Sequence, residues 1–386
     1  MSVVKTPACS TVQGINKINK PIEESVMNFE FSSEQVMLRD QARGLLAEHC
    51  PPSAVRAVLE GDAPFDAELW KLVTEMGWTA TVIPEQYDGL GLSYLELAVI
   101  AEEMGRAMAP IPFSSSVYMA TEAVMAAGSD SQKEQWLPRL ASGEIIGTVA
   151  VAEAAGQASA KGLTTAVKNG AINGTKVPVI DGDIANFAIV VASCNSGDGA
   201  SLYIVDLGDS AIARSQVPTI DPSRSQARIE FNGAEAELLG AEGEGWSVLQ
   251  QVYNRAAVLF AWEQVGGSDA ALEMAKDYAM GRIAFGRPIA SYQAIKHKLA
   301  NMYVKNTLAR SNAYYGAWAL STGDSQLSLA AATARVAGIQ AYYFASKENI
   351  QTHGGMGYTW EFDCQFHYRR AKLLSLTIGS EASWQD

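Results

Sequence analysis

Apolar residues recur at helical spacing over the first third of the chain. In residues 32–50, SSEQVMLRDQARGLLAEHC, the rhythm runs through Val36, Leu38, Ala42, Leu45 and Leu46, with Ser33 ahead of it as a candidate N-cap. The same spacing predicts helices over residues 67–76, 93–106, 116–127 and 131–142. A glycine-punctuated loop, IPEQYDGLGLS at residues 83–93, separates the first two of these. From Ile146 the texture changes to short β-branched runs: GTVAVAE, GLTTAVK, FAIVVAS, ASLYIVDL, IARSQVPTI and QARIEF. NG at residues 169–170, NGT at 173–175 and NSGDG at 195–199 read as the turns between them. Evenly spaced strands with tight turns predict a small β-barrel or sandwich. From about Gly245 the helical rhythm returns. One very long helix is expected up to Arg282, then helices over about 292–320, 326–349 and 362–374, which together describe a bundle. Gly266 and Gly267 inside the long helix cost about 1 kcal/mol each against Ala, which predicts close helix packing there.

The fold class expected is therefore mainly α with a central β-domain. The boundaries expected are a tail over 1–28, a helical domain over 29–145, a β-barrel domain over 146–240 and a four-helix bundle over 241–386. A length of 386 residues supports such a division. The net charge of −13 argues against a nucleic-acid partner, which needs clustered Lys and Arg, but leaves room for a phosphorylated small ligand. Cys9, Cys50, Cys194 and Cys364 are far apart and form no CxxC pair, so neither a disulfide framework nor a zinc site is expected. A reducing cytoplasm is the expected location. No apolar run reaches membrane-spanning length. The opening residues lack the apolar core of a signal peptide, and Met27 provides a second start, so residues 1–26 are expected to add little to the fold.

Two segments carry chemistry. In RIAFGRPIASYQAIKHKLANM, residues 282–302, Arg282 ends a helix with a fixed charge and a fork suited to pyrophosphate. Gly286 and Pro288 turn the chain, and Gln293 opens the next helix with an amide able to pair with a heterocycle. Read by composition alone, the same residues are equally an ordinary helix–turn–helix corner. In QTHGGMGY, residues 351–358, three glycines in four positions let backbone lie flat against a ligand and leave N–H groups free. A glycine cluster after a helix is more often a C-terminal stop. No strand–GxGxxG–helix unit is present.

In this order and spacing the two segments resemble the acyl-CoA dehydrogenase family, and the resemblance extends over nearly the whole chain from about residue 29. The loop and helix of residues 83–106 look like the family's first-domain loop and helix, and AVAEAAGQASA at 150–160 stands where the family has its flavin-facing strand. The resemblance implies bound FAD between the β-domain and the bundle, and α,β-desaturation of an acyl-CoA thioester, as in fatty-acid β-oxidation. It also implies reoxidation by electron-transferring flavoprotein. It assigns Arg282 to the FAD pyrophosphate of a neighbouring subunit, Phe285 to the same cofactor, Gln293 to its adenosine end, and Gln351, Gly354 and Gly355 to the rest of a cross-subunit cradle. A dimer is then the minimum unit, and a homo- or heterotetramer the expected assembly.

The sequence departs from the family pattern at three places. The flavin loop, which in the family reads like TEPxxGSD, is here Ala152, Glu153, Ala154, Ala155, Gly156, Gln157, Ala158, Ser159. In KVPVIDG, residues 176–182, Pro178 and Ile180 stand where the family often has an aromatic and a hydroxyl residue. Ile378 stands where the family has its catalytic glutamate, and the second family location, on the long bundle helix, falls near Ala256. A thioester α-proton needs a positioned carboxylate to remove it. Glu263, seven residues after Ala256 in the apolar stretch LFAWEQVGG, is the candidate base; its alternative is a place in a polar network or a pair with an Arg. Glu381 is expected in a mobile tail, Glu153 in a structural role, and Arg255 either pairs with a carboxylate or lines the acyl pocket as a substrate contact. Three functions follow: a dehydrogenase with a relocated base, a non-catalytic or half-site subunit of a heteromer, or a flavoprotein with different chemistry on the CoA ester.

Overall fold

The computed structural model describes residues 31–154, 156, 158–194 and 199–385. The loop signal at 195–199 therefore falls almost wholly outside the described residues, as does the opening tail. Helix α1 spans Ser33–His49, and its N-cap is Ser32, one residue earlier than the sequence suggests. Ser32 wins because Gln35 sits three residues on, so the two close a reciprocal capping box. Helix α2, Pro52–Glu60, was not anticipated; its short amphipathic face buries Val55, Val58 and Leu59. Helices α3 (Ala67–Glu75), α4 (Tyr94–Ala107), α5 (Glu122–Ala127) and α6 (Asp130–Ala141) fall where the rhythm puts them. A wide π-type helical stretch, Ser114–Thr121, runs straight into α5.

The middle of the chain forms one sheet. Its strands are β1 (Gly147–Ala150), β2 (Ala166–Lys168), β3 (Ala171–Ile180), β4 (Phe187–Ser193), β5 (Ala200–Asp206), β6 (Ile212–Gln216), β7 (Gln226–Glu235) and β8 (Glu237–Leu239). The order is β6-β7-β3-β2-β4-β5-β8, with β1 running parallel to β4. The described strands are thus an open sheet and not a closed barrel, because β6 and β8, at its two ends, do not pair with each other. β4 is apolar and buried along nearly its whole length, as a central strand covered on both faces must be. β6 carries Arg214, Ser215 and Gln216 on an exposed edge. Asn169 and Gly170 both have positive φ and close the tight β2–β3 turn, as read. The NGT at 173–175 does not turn: it lies inside β3 at a register irregularity, with Gly174 at φ 140°.

Helix α7 spans Gly245–Gly281, followed by a small hairpin of β9 (Ile283–Ala284) and β10 (Arg287–Pro288). Helices α8 (Gln293–Thr322), α9 (Leu327–His353) and α10 (Cys364–Leu374) complete the bundle, and a short α11, Glu381–Gln385, ends it. Glu381 is therefore not in a loose tail; it opens α11 and accepts from the Gln340 amide at 2.7 Å. Among the described residues no helix is long and apolar enough to cross a membrane.

The glycines of α7 pack as their cost implies. A Cβ on Gly266 would run into the carbonyl of Glu102 in α4, and one on Gly267 into the ring of Tyr342 in α9. Gly105 of α4 answers from the other side, its missing Cβ leaving room for the carbonyl of Glu263. We expect Gly266→Ala to lower stability by about 3 kcal/mol, since backbone must move to make room. Gly281→Ala, where a Cβ meets nothing within 4 Å, is the control and should leave stability equal or slightly raised. Urea unfolding of the two variants checks this, and equal midpoints would refute the close approach.

Candidate active site

A cleft of about 1050 Å³ opens between the sheet and the bundle. One wall is the chain leaving β1, where Val151, Ala152, Ala154, Gly156 and Ala158 present only small side chains. That wall is held by Lys176, fully buried, which donates to the carbonyl of Val151 at 2.9 Å and to Glu153 at 2.8 Å. The backbone N–H of Val177 adds a bond to the carbonyl of Ala152. Glu153 also accepts from the backbone N–H groups of Thr164 and Thr165. Burial alone would push its carboxyl up, but the bonds from Lys176 and Thr164 prevail and hold it at about 2. Burial pushes the Lys176 amine down, against the pull of Glu153. The structural role expected of Glu153 is what these contacts describe.

Helix α7 supplies a second wall. Trp246, Leu249, Gln250, Tyr253 and Asn254 line the cleft at spacings of three and four, one stripe of the helix. The third wall is the end of the chain: Lys372, Leu373, Leu376, Thr377, Ile378, Gly379, Ser380, Ser383 and Trp384. Gly379, at φ 113°, lets α11 fold back; a Cβ there would meet Ser383 Oγ at 2.7 Å. Trp384 donates its indole N–H to the carbonyl of Ile378 at 3.2 Å, so the Ile378 side chain, 4 % exposed, is held in place. Among the described residues no carboxylate lines this cleft, and Lys372 is its one charged side chain.

Glu263 is elsewhere. On a helix with 3.6 residues per turn it sits roughly 100° round the axis from the centre of the Trp246–Asn254 stripe. Only 2 % exposed, its carboxylate faces Arg224 at 3.3 Å and Arg370 at 3.8 Å. Of the two roles the sequence allowed, the geometry matches the pair with an Arg and not the open base. Arg255 likewise turns from the cleft. It donates to Glu122 at 3.1 Å and to the Tyr94 hydroxyl at 3.2 Å, and Tyr94 donates to the same Glu122 oxygen at 2.9 Å. Burial raises the Glu122 carboxyl against the opposing pull of Arg255. The expectation that Arg255 contacts substrate gives way to its alternative, pairing with a carboxylate. Ala256 is fully buried and does not line the cleft either.

The expected cofactor residues form a separate group at one end of the bundle. Tyr278, four residues before Arg282, stacks on His353, just before Gly354, at 4.1 Å between ring centres. This brings the β9–β10 hairpin and the glycine cluster to the same end. Arg282, Gln293 and Gln351 are exposed, and Phe285 at the hairpin tip, with φ 51°, is 98 % exposed. Gly354 has φ 60°, and a Cβ on it or on Gly355 would meet nothing within 4 Å. Open glycine backbone beside an exposed arginine and an amide fits the donor set that a pyrophosphate-bearing cofactor needs. None of these residues lines the cleft. No cluster of three or more His, Cys, Asp or Glu that could hold a metal occurs among the described residues. The cleft stripe of α7 was missed from sequence. Its signal was present, as the amides Gln250 and Asn254 interrupt an otherwise apolar face.

The low Glu153 carboxyl makes a pH prediction. A group whose folded pKa is depressed adds stability above its unfolded value and loses it as pH falls through the folded value. The advantage of native protein over Glu153→Gln should therefore shrink between about 4.5 and about 2 and be flat above pH 6. Thermal melting of both proteins across pH checks it; a gap that does not change with pH would refute the Lys176–Glu153 staple.

Residues 32–144 match the family described as acyl-CoA dehydrogenase, N-terminal domain, and residues 243–383 match acyl-CoA dehydrogenase, C-terminal domain. Among curated proteins, the chain is 32% identical over 339 residues to the acyl-CoA dehydrogenase IpdE2 of Mycobacterium tuberculosis, covering 88% of this chain and 91% of that protein. It is 30% identical over 374 residues to an acyl-CoA dehydrogenase of Bacillus subtilis, covering 90% and 95%. Among solved structures, the ChsE4–ChsE5 complex from Mycobacterium tuberculosis superposes with a TM-score of 0.84 at 25% identity, over 93% of this chain and 97% of that one. Helical domain, central sheet and helical bundle thus recur in the same order. With both terminal domains matched and a relative aligned over most of its length, this chain belongs to the acyl-CoA dehydrogenase family.

Proposed function

We propose that this chain works as a subunit of an FAD-dependent acyl-CoA dehydrogenase whose proton acceptor is supplied by a second chain. The observation that carries this is the cleft: large, mostly apolar, and without a carboxylate among its described lining residues. Ile378, in its wall, takes the place that the family resemblance gives to the base. The apolar side chains of Val149, Val151, Leu249, Leu373, Leu376 and Ile378 exclude water from an acyl group. The amides of Gln226, Gln250 and Asn254 offer hydrogen bonds to its oxygens, and Lys372 offers a positive charge to anionic parts of the ligand. The wall of Val151, Ala152, Ala154, Gly156 and Ala158 leaves room for a planar ring. Arg282, Phe285, Gln293, Gln351, Gly354 and Gly355 would hold the remainder of an FAD that reaches across a subunit boundary. When bound, FAD supplies the hydride acceptor, and electron-transferring flavoprotein is the expected oxidant. The ChsE4–ChsE5 complex is a solved case with two different chains, which supports a heteromer. A homo-oligomer with Glu263 as relocated base is the alternative, and it requires Glu263 to leave Arg224 and reach the cleft.

The experiment is anaerobic flavin bleaching by a panel of acyl-CoA thioesters. The chain alone should give no bleaching, and the chain co-expressed with a homologous subunit should bleach; full bleaching alone would overturn the proposal. Ile378→Glu in the FAD-loaded chain should restore bleaching alone by about a hundredfold, the scale of a positioned general base. Glu263→Gln should lower stability by about 3 kcal/mol, since it leaves Arg224 buried without its charge partner. Folded Glu263→Gln in the active assembly should keep its bleaching rate, whereas loss of bleaching at unchanged FAD content would make Glu263 the base.

A further inference from the structure

The end of the cleft is held together by two successive arginines of α10. Arg370, 1 % exposed, donates from Nε to Asp221 Oδ2 at 2.5 Å and from Nη2 to Ser223 Oγ at 2.9 Å and the Met108 carbonyl at 3.3 Å. Arg369 donates from Nη1 to the carbonyl of Ile220 at 2.9 Å. Apart from the Met108 carbonyl, their acceptors sit on the sheet-domain loop whose residues Val217, Pro218, Thr219 and Ile220 line the cleft. One turn past the arginines, Lys372, Leu373 and Leu376 line it from the bundle. The gap between loop and helix is therefore fixed by this clamp, and no other side chain among those described bonds that loop to α10. Asp221 is itself pre-set: the Ser223 N–H and hydroxyl both donate to its other oxygen. The Arg370 fork also reaches the helical domain through Met108, so one side chain touches all three parts of the molecule.

We propose that Arg370 and Asp221, with Arg369 beside them, are positioning residues that set the width of the cleft and so select the breadth of the acyl group. This rests on the cleft being the acyl-CoA site. Closed, the seam between the 217–220 loop and α10 admits an acyl group of one breadth; released, it admits broader ones. The tie is ionic, so it depends on charge at position 370 more than on the volume of that side chain.

The test is binding, not turnover. Octyl-CoA and cyclohexylmethyl-CoA thioethers lack the carbonyl that acidifies an α-proton, so neither can be desaturated. Trp246 and Trp384 line the cleft, and their fluorescence reads the titration. In Arg370→Gln and Asp221→Asn the ratio of Kd for the ring-bearing thioether to Kd for the straight one should fall about fivefold or more, on the scale by which apolar pockets discriminate. Arg370→Lys, which keeps the charge but not the fork, should shift the ratio in the same direction by a clearly smaller factor than Arg370→Gln. Arg369→Gln, at a partly exposed site tolerant of change, should shift the ratio in the same direction by a smaller factor. An unchanged ratio in Arg369→Gln and Arg370→Gln would overturn the clamp, as would equal shifts in Arg370→Lys and Arg370→Gln, which would indicate packing alone. Should the buried variants fail to fold, Arg369→Gln decides by itself. A native protein that binds neither thioether would overturn the acyl-CoA reading of the cleft, a result distinct from binding with an unaltered ratio.

Discussion

The contact on which this structure turns is the approach of α4 to α7 at backbone distance. Gly105 and Gly266 face the carbonyls of Glu263 and Glu102, so the helices touch where any side chain would hold them apart. That seam fixes the rotation of α7 about its axis. With the rotation fixed, the Trp246–Asn254 stripe must face the cleft, and Glu263 must face the interior. The seam also buries Glu102 and Glu103 of α4, which are tolerable only because each meets a guanidinium. Arg310 of α8 grips Glu102 with two bonds, at 2.8 and 2.6 Å, and Arg43 of α1 grips Glu103 with two, at 3.0 and 2.7 Å. Helix packing and charge pairing thus reinforce the same arrangement.

Further along α7 the interior charge is matched within one cluster. Arg224 and Arg370 pair with Glu263 and Asp221, Asp181 is drawn to Arg224, and Arg335 is drawn to Glu263. Burial pushes Arg335 down to about 9, opposed by Glu263. In such a setting Glu263 is held between Arg224 and Arg370 in the interior, away from the cleft. Removing one partner from a buried set of this kind costs several times what the pair itself contributes, which is why the cluster reads as structure.

Much of this was legible in the sequence. Most of the helices, the Asn169–Gly170 turn, the Arg282 corner and the meaning of Gly266 and Gly267 follow from local rules of period, cap and turn. The missed α2 and the Ser32 cap are local misreadings, and the rest share one cause, a partner distant in sequence. The sequence left Glu263 open between a base and a pair with an Arg, and what places it is Arg224, 39 residues earlier on a sheet-domain loop. Glu381 looked loose because Gln340, 41 residues away, is invisible to local pattern. The NGT of residues 173–175 has turn composition, yet β7 pairs along that stretch and absorbs the irregularity as a bulge. The cleft stripe of α7 was hidden because a mixed apolar and amide face looks like ordinary bundle core until the sheet is placed opposite.

The chemistry is constrained by the same long-range logic. A base must touch its proton, so it must line the cavity that holds the thioester. Glu153, the carboxylate next to the cleft wall, is kept ionised by Lys176 and the Thr164–Thr165 amides, which makes it a weak proton acceptor. Glu122 and Glu263, both buried within the described fold, are spoken for by Arg255 and Arg224. The wall at Ile378 is apolar and fastened by Trp384. A carboxylate arriving there would be poorly solvated and would hold a proton more tightly than in water. The described walls of the cleft would therefore favour a base while presenting no carboxylate of their own. That combination is consistent with the proposed division of labour, in which a second chain brings the acid–base group to an apolar wall that this chain supplies.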